Sequence, residues 1–265
     1  MERFCWSARL GLLAVLFSLT TGPAIAEGDK DLAKESQNPI GNIISLPFEN
    51  TTEFDVGTED AIVNTLSLKP VYPVNVGEWN LINRAIVPIV YQEERFPGEG
   101  DEFGLGDLTL QVFASPAKPS KLIWGIGPAV ILPTHTDDRL GTDALSLGPA
   151  VIALAKPGNW LVGALVQNLF SVAGDDDVNL LSFQYFVNYN FDGGWYFSST
   201  PNLTANWEAD SDERWTVPVG GGVGRLIKVG KQPIDIKLQA YWNAVHPDNG
   251  ADWATQLQFK FLFPK

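Results

Sequence analysis

Cysteine is almost missing from this 265-residue chain, Cys5 being the only one, so no intrachain disulfide can form. Histidine is nearly as scarce: His135 and His246 leave little material for a metal centre or a set of general bases. Charged residues make up 18%, below the roughly 25% of an ordinary soluble domain. Bases are outnumbered 18 to 31, for a net charge of −13. That excludes a nucleic-acid partner, whose phosphates demand a basic surface. Past residue 26 there is no apolar run of the ~20 residues that a membrane-crossing helix needs. Aromatics, by contrast, are plentiful. Nine Trp and fifteen Phe do not belong to a disordered chain.

The first 26 residues carry Arg3 and Arg9, an apolar run from Leu10 to Leu19, and Ala24-Ile25-Ala26. This is the charged, hydrophobic and small-residue order of a secretory signal peptide. Its ten-residue apolar run is too short to anchor a helix in a bilayer, and cleavage is expected after Ala26. Cys5 leaves with the leader. The remaining chain holds 30 acids once Glu2 is set aside, and 16 bases without Arg3 and Arg9. A disulfide-free exported protein is compatible with any compartment outside the cytoplasm.

Two kinds of connection alternate along the rest. Tight ones, rich in Pro, Gly and Lys, lie at 75–78, 117–120, 156–159, 192–194 and 229–232. Their glycines supply positive φ and their prolines preset φ near −65°. Longer, acidic ones lie at 54–63, 92–104, 134–144, 174–178, 208–213 and 246–252. Those six contain 20 of the 30 acids and just two bases, Arg95 and Arg139. Lys118, Lys121, Lys156, Lys228 and Lys231 gather beside the tight turns instead, so the two ends of the molecule differ in charge.

Between connections the chain alternates with period two. In 234–244, Ile234, Ile236, Leu238, Ala240 and Trp242 oppose Asp235, Lys237, Gln239, Tyr241 and Asn243. In 253–263, Leu257, Phe259, Phe261 and Phe263 oppose Gln256, Gln258 and Lys260. Segments 181–191 and 195–207 follow suit, whereas 121–133, 145–155 and 160–173 alternate less clearly. Such alternation means strands with one apolar and one polar face. The count predicts twelve strands, the first near 42–53, with both termini on the tight-turn side.

A soluble sandwich and a membrane barrel share this periodicity, but three features favour the barrel. The strands run to ten residues or more, as tilted membrane strands do. Their number is even, with short turns at one end and longer loops at the other. Trp79, Trp160, Trp195, Trp207, Trp215, Trp242 and Trp253 stand at strand ends, where amphipathic rings form interfacial girdles. The fold class is therefore all-β: a closed antiparallel up-and-down transmembrane barrel over 42–265, preceded by a periplasmic segment 27–41. From its position, that segment could form a short helix that enters the lumen as a gate. Pro70, Pro88, Pro128, Pro149, Pro201 and Pro218 fall inside strands, where each removes a ladder donor; they are expected to mark bulges.

Five stretches carry a family resemblance: 32–40 (LAKESQNPI), 115–119 (SPAKP), 124–128 (WGIGP), 210–225 and 256–263 (QLQFKFLF). With them the chain resembles a family of Gram-negative outer-membrane barrels generically labelled transporter, some members labelled neuromedin U. It is also similar to channel-like proteins associated with aromatic and phenol degradation. The resemblance implies the barrel and its location in the outer membrane, and brings no catalytic motif. Outer-membrane barrels commonly end on an aromatic that the assembly machinery reads; here Pro264 and Lys265 follow Phe263.

The chemistry expected of the barrel is a passage. Lys69, Arg84, Asp107, Gln111, Gln184, Asn188, Asp235, Lys237, Gln239, Gln256, Gln258 and Lys260 are the expected pore lining, since polar lining groups set selectivity. About twelve strands is a size between plugged and open barrels, and opposing lumen charges could pair and fill the interior. Expected partners are outer-membrane lipid and lipopolysaccharide, the assembly machinery and a small solute moving passively. No cofactor or nucleotide is expected: Gly220-Gly221-Gly222-Val223-Gly224 lacks the Lys-Ser/Thr of a phosphate loop and reads as room for close side-chain approach. Alternatives are an outer-membrane lipid hydrolase using His135 with a hydroxyl such as Ser146, and a non-conducting structural barrel. The His135 and His246 loops show no known metal-ligand spacing. Asp175-Asp176-Asp177 could hold Ca²⁺ but reads better as a solvated acidic loop.

Overall fold

The computed structural model describes residues 27–118 and 120–264, with side chains from Asp31 onward. The leader 1–26 with its expected cleavage point, Pro119 of one tight turn and the terminal Lys265 lie outside the described residues.

Fifteen strand segments form one antiparallel sheet. Nine cross the sheet uninterrupted: β1 (Ile44–Val56), β4 (Trp79–Gln92), β7 (Leu122–Leu132), β8 (Ala144–Ala155), β9 (Trp160–Gly174), β10 (Asn179–Asn190), β13 (Trp215–Val229), β14 (Gln232–Val245) and β15 (Trp253–Phe263). Three are broken in two: β2 (Ala61–Leu68) with β3 (Val71–Val76), β5 (Glu102–Leu105) with β6 (Leu108–Pro116), and β11 (Trp195–Ser199) with β12 (Asn202–Asn206). The result is twelve crossings. β1 pairs with β15, and the β9–β10 ladder joins the two halves, so the sheet closes on itself. Closure leaves no edge to protect.

The six prolines explain where the wall is irregular. Pro70 and Pro201 occupy two of the breaks. Pro88 lies opposite the third, its carbonyl accepting from the Gly106 amide at 3.0 Å, and Pro218 marks a register shift against β14. Pro128 and Pro149 face one another across β7 and β8. On their other sides the β6–β7 ladder lapses between Gln111↔Ala129 and Ala114↔Ile126, and the β8–β9 ladder between Leu147↔Phe170 and Ala150↔Gln167. For these six the missing N–H falls at a break, a bulge or a lapse, whereas Pro47 and Pro73 sit within continuous registers. Freed groups at the Pro201 break turn to lumen side chains: Gln184 donates to the Thr200 carbonyl at 3.1 Å, and the Thr200 amide to the Tyr241 hydroxyl oxygen at 3.3 Å. Non-ladder backbone at membrane depth is tolerated where it lines a cavity.

The outer surface is apolar. Ile126 (50% exposed), Leu238 (54%) and Trp242 (62%) belong to a belt that includes Leu147, Val151, Val166, Val223 and Leu257. Exposed Trp79, Trp124 and Trp160 ring the tight-turn end, and Trp207, Trp242 and Trp253 the loop end. Trp79 and Trp124 meet edge to face at 6.0 Å, and Trp253 stacks on Phe54 at 3.9 Å. A band this continuous is not tolerated against water; it matches the lipid belt and aromatic girdles of a transmembrane barrel.

The interior is divided. Ile82, Phe113, Ala129, Ala150, Ile152, Leu154, Leu161, Leu165 and Leu169 of the β4–β9 side and Phe186 of β10 pack into a solid core with Ile40 from the N-terminal segment. The β10–β15 and β1–β2 side carries polar inward faces, among them Glu49, Ser198, Asp235, Gln239 and Gln258, all buried. At the tight-turn end α1 (Glu27–Ser36) buries Ala33 against Leu226 and Leu262. Lys156 pairs with Glu35, and Lys34 donates to the Gly158 carbonyl. Segment 27–41 thus begins as the short helix expected of it and runs inward to Ile40.

Candidate functional site

Between the solid core and the polar wall lies a cavity with about 910 Å³ of empty space, open solvent included. It is roofed at the tight-turn end by residues 35–39 and Gly41. Eight of the twelve expected lining residues meet there: Lys69, Arg84, Gln184, Asn188, Asp235, Lys237, Gln258 and Lys260. Alternation explains why. Cross-strand neighbours share a face, and the registers Glu49↔Gln258, Lys237↔Gln258, Asp235↔Lys260 and Val71↔Arg84 place these groups side by side on the inner wall.

The cluster is unevenly paired. Glu49 forms an ion pair with Lys69 and accepts from Gln258 Nε2 at 3.0 Å. Asp235 accepts from the Tyr196 hydroxyl at 2.7 Å and from Ser36 Oγ at 3.0 Å, and Lys260 donates to the Ser36 carbonyl at 2.7 Å. Among the described residues Lys237 donates only to the Thr200 hydroxyl, at 3.4 Å. Arg84 lies with its Cζ 6.0 Å from the Phe113 ring centroid. Its buried Nη1 finds no acceptor among the described residues. Buried polar atoms are normally satisfied, so each exception calls for a reason.

The other four expected residues lie elsewhere. Gln239 is buried against Ser198 and Thr200. Gln111 donates to Gln167 at 2.6 Å on the apolar side, and Gln256 reaches Thr51 at 3.5 Å. Asp107 is a correction. Its parity assigns it to the lumen, yet it sits at the β5–β6 break among the loops. There it accepts from the Thr134, His135 and Thr142 amides at 3.1, 3.2 and 2.8 Å and faces His135 Nδ1 at 2.7 Å. Glycine and proline at the break release the chain from the pleat, and four donors in the adjacent loop hold the carboxylate there.

Glu49 and Tyr196 were absent from the sequence expectation. Glu49 shares parity with Ser45, Pro47 and Thr51, a pattern blurred by the polar run Glu49-Asn50-Thr51-Thr52-Glu53. Tyr196 has its sequence signal in Gly224. A Cβ there would lie 2.1 Å from the tyrosine ring, so the glycine opens the space through which Tyr196 reaches Asp235. The glycine run is thus the close-approach element anticipated.

At the loop end His135 Nε2 faces Asp143 at 3.3 Å, and Asp138 is near enough for the three to form a candidate cation-binding group. The hydrogen bond to Asp107 raises the His135 pKa above its ordinary value, aided by the Asp143 and Asp138 charges and opposed by burial. Neither ring nitrogen bonds a hydroxyl among the described residues, and Ser146 Oγ is buried inside β8 without a partner. Among the described residues, His135 and Ser146 do not form a Ser–His pair. His246 is separate, with Nδ1 2.8 Å from the Pro247 carbonyl and Nε2 3.4 Å from Asp252. In the 174–178 loop, Asp176 accepts from the Asp143 amide at 2.8 Å.

A family model described as "Putative MetA-pathway of phenol degradation" matches residues 47–265. No curated protein matches the sequence. Among solved structures, an outer-membrane channel from Pseudomonas putida F1 is similar at TM-score 0.64 and 16% identity, over 83% of this chain and 94% of that one. The NanC porin is similar at TM-score 0.50 and 11% identity, over 84% of this chain and 100% of that one. At such identities the likeness is one of fold.

Proposed function

This chain belongs to the family described as a putative MetA-pathway of phenol degradation, and on that premise we propose that it is an outer-membrane channel passing a small solute passively through its lumen. The observation that carries the reading is the polar cavity inside a closed, lipid-belted barrel. A structural barrel has no need of buried cations left short of partners. The phenol of the family description, and the channel named in the Pseudomonas putida structure, support a small organic solute. In this reading the chain is exported with cleavage near Ala26 and surrounded by outer-membrane lipid and lipopolysaccharide. Its C-terminal aromatics Phe259, Phe261 and Phe263 are read by the assembly machinery. No enzymatic step is part of it.

The segment 27–41 acts as the gate. It is held by the Lys156–Glu35 pair, by Gln37 to Asn190 at 2.7 Å, by Lys260 to the Ser36 carbonyl and by Ile40 in the core. These are several separable contacts rather than a covalent closure. Purified protein in liposomes tests both ideas. Uptake of small solutes above that of empty liposomes is expected, and faster uptake from a chain lacking 27–36. No uptake by either chain would refute the channel; equal rates would refute the gate.

A further inference from the structure

The lumen lies in a protein of net charge −13, yet its cavity is cationic. Lys69, Arg84, Lys237 and Lys260 line it against Glu35, Glu49 and Asp235, and Glu35 is engaged from outside by Lys156. The remaining two carboxylates already have partners. Glu49 takes Lys69 and Gln258, while Asp235 takes two hydroxyls. Arg84 and Lys237 make no ion pair among the described residues, and Arg84 keeps an unsatisfied buried Nη1. An unpaired cation in a confined site is costly, and an anion supplied from outside relieves that cost.

Arg84 also stands at a seam. On one side are Phe113 and Val71, the latter directly across the ladder; Val71 packs on the solid core. On the other lies the field of Glu49 and the polar wall. Phe186 and Val71 both line the cavity. We propose that this seam is a binding site for a small organic acid, its carboxylate held by Arg84 and Lys237 and its apolar body resting against Val71 and Phe186. Guanidinium matches a carboxylate through paired N–H donors, a geometry that neutral alcohols do not supply and organic cations oppose. The site rests on the reading of the lumen as a passage and gives that passage a substrate class.

Titrating the full-length mature protein in detergent micelles with benzoate, benzyl alcohol and benzylammonium tests the site without requiring transport. Saturable benzoate binding is expected, with the alcohol weaker and no saturable binding of the ammonium. Arg84→Gln and Lys237→Gln should each weaken benzoate about tenfold or more, the scale of a lost charge-assisted contact. Heat-modifiable gel migration reports which variants fold, and the three-ligand comparison on the unaltered chain stands even if one does not. Equal binding of all three ligands, no benzoate binding, or indifference to a folded variant would overturn the proposal. Liposomes that take up neutral solute while benzoate fails to bind would sink the site and keep the channel. Benzoate binding with no uptake of any solute would do the reverse.

Discussion

Gly224 opposite Tyr196 offers a quantitative perturbation of the polar wall. In Gly224→Ala the new Cβ would lie 2.1 Å from Cζ, 2.3 Å from the hydroxyl oxygen and 2.6 Å from Cε2 of Tyr196. Ordinary contact begins at 3.4 Å, so the ring has to move by more than an ångström. Tyr196 is 2% exposed, and the cavity it borders is the direction left to it. Motion also breaks its 2.7 Å hydrogen bond to Asp235, itself buried. Overpacking costs roughly 1–3 kcal/mol, and a lost hydrogen bond to a charged acceptor roughly 1.5–3 kcal/mol. One movement trades the first cost for the second, so the expected loss is about 2–4 kcal/mol rather than their sum. Urea unfolding in detergent followed by tryptophan fluorescence measures it, and a cycle with Tyr196→Ala isolates the cause. With the ring removed, the penalty of the glycine substitution should fall below about 0.5 kcal/mol. An unchanged penalty in the Tyr196→Ala background would refute the steric argument.

Three further outcomes follow from other parts of the molecule. The His135 pKa is raised by Asp107, so its clasp on the loops is fully present below the unfolded value of about 6.5 and lost as pH rises through the higher folded value. Protection factors of amides in 133–143, which remove the intrinsic pH dependence of exchange, should therefore fall as pH rises above about 6.5, and His135→Gln should remove that fall; identical pH profiles would contradict it. Ile126→Arg, on the lipid belt, should reduce folding stability in bilayers by roughly 2–4 kcal/mol, where a solvent-facing position would show almost no change. Lys237→Glu replaces a cavity cation with an anion and should shift ion preference toward cations; an unaltered reversal potential would remove Lys237 from the conducting path.

The parts of this architecture visible in sequence are those where one face is polar. β14 and β15 alternate most cleanly, Leu262 being an apolar exception on the inner face, and their inward groups Asp235, Lys237, Gln258 and Lys260 line the cavity. Segments 121–133, 145–155 and 160–173 alternate poorly because the strands they become, β7 to β9, are apolar on both faces. Ile126, Val151 and Val166 meet lipid while Ala129, Ile152 and Leu165 fill the core. Their low polarity already carried that signal, but period two does not distinguish a doubly buried strand from an unclear one. Asp107 was misplaced because parity holds only along an unbroken pleat. The cationic excess was not legible either: it depends on which carboxylates already have partners, and Tyr196, Ser36 and Gln258 reach theirs across long sequence separations.

Conduction through the lumen is read from planar-bilayer recording of the purified mature chain. Discrete conductance steps are expected, with a reversal potential in a salt gradient that favours anions, in keeping with the cavity's excess of cations over free carboxylates. A folded, inserted protein that leaves the bilayer as silent as lipid alone would contradict it.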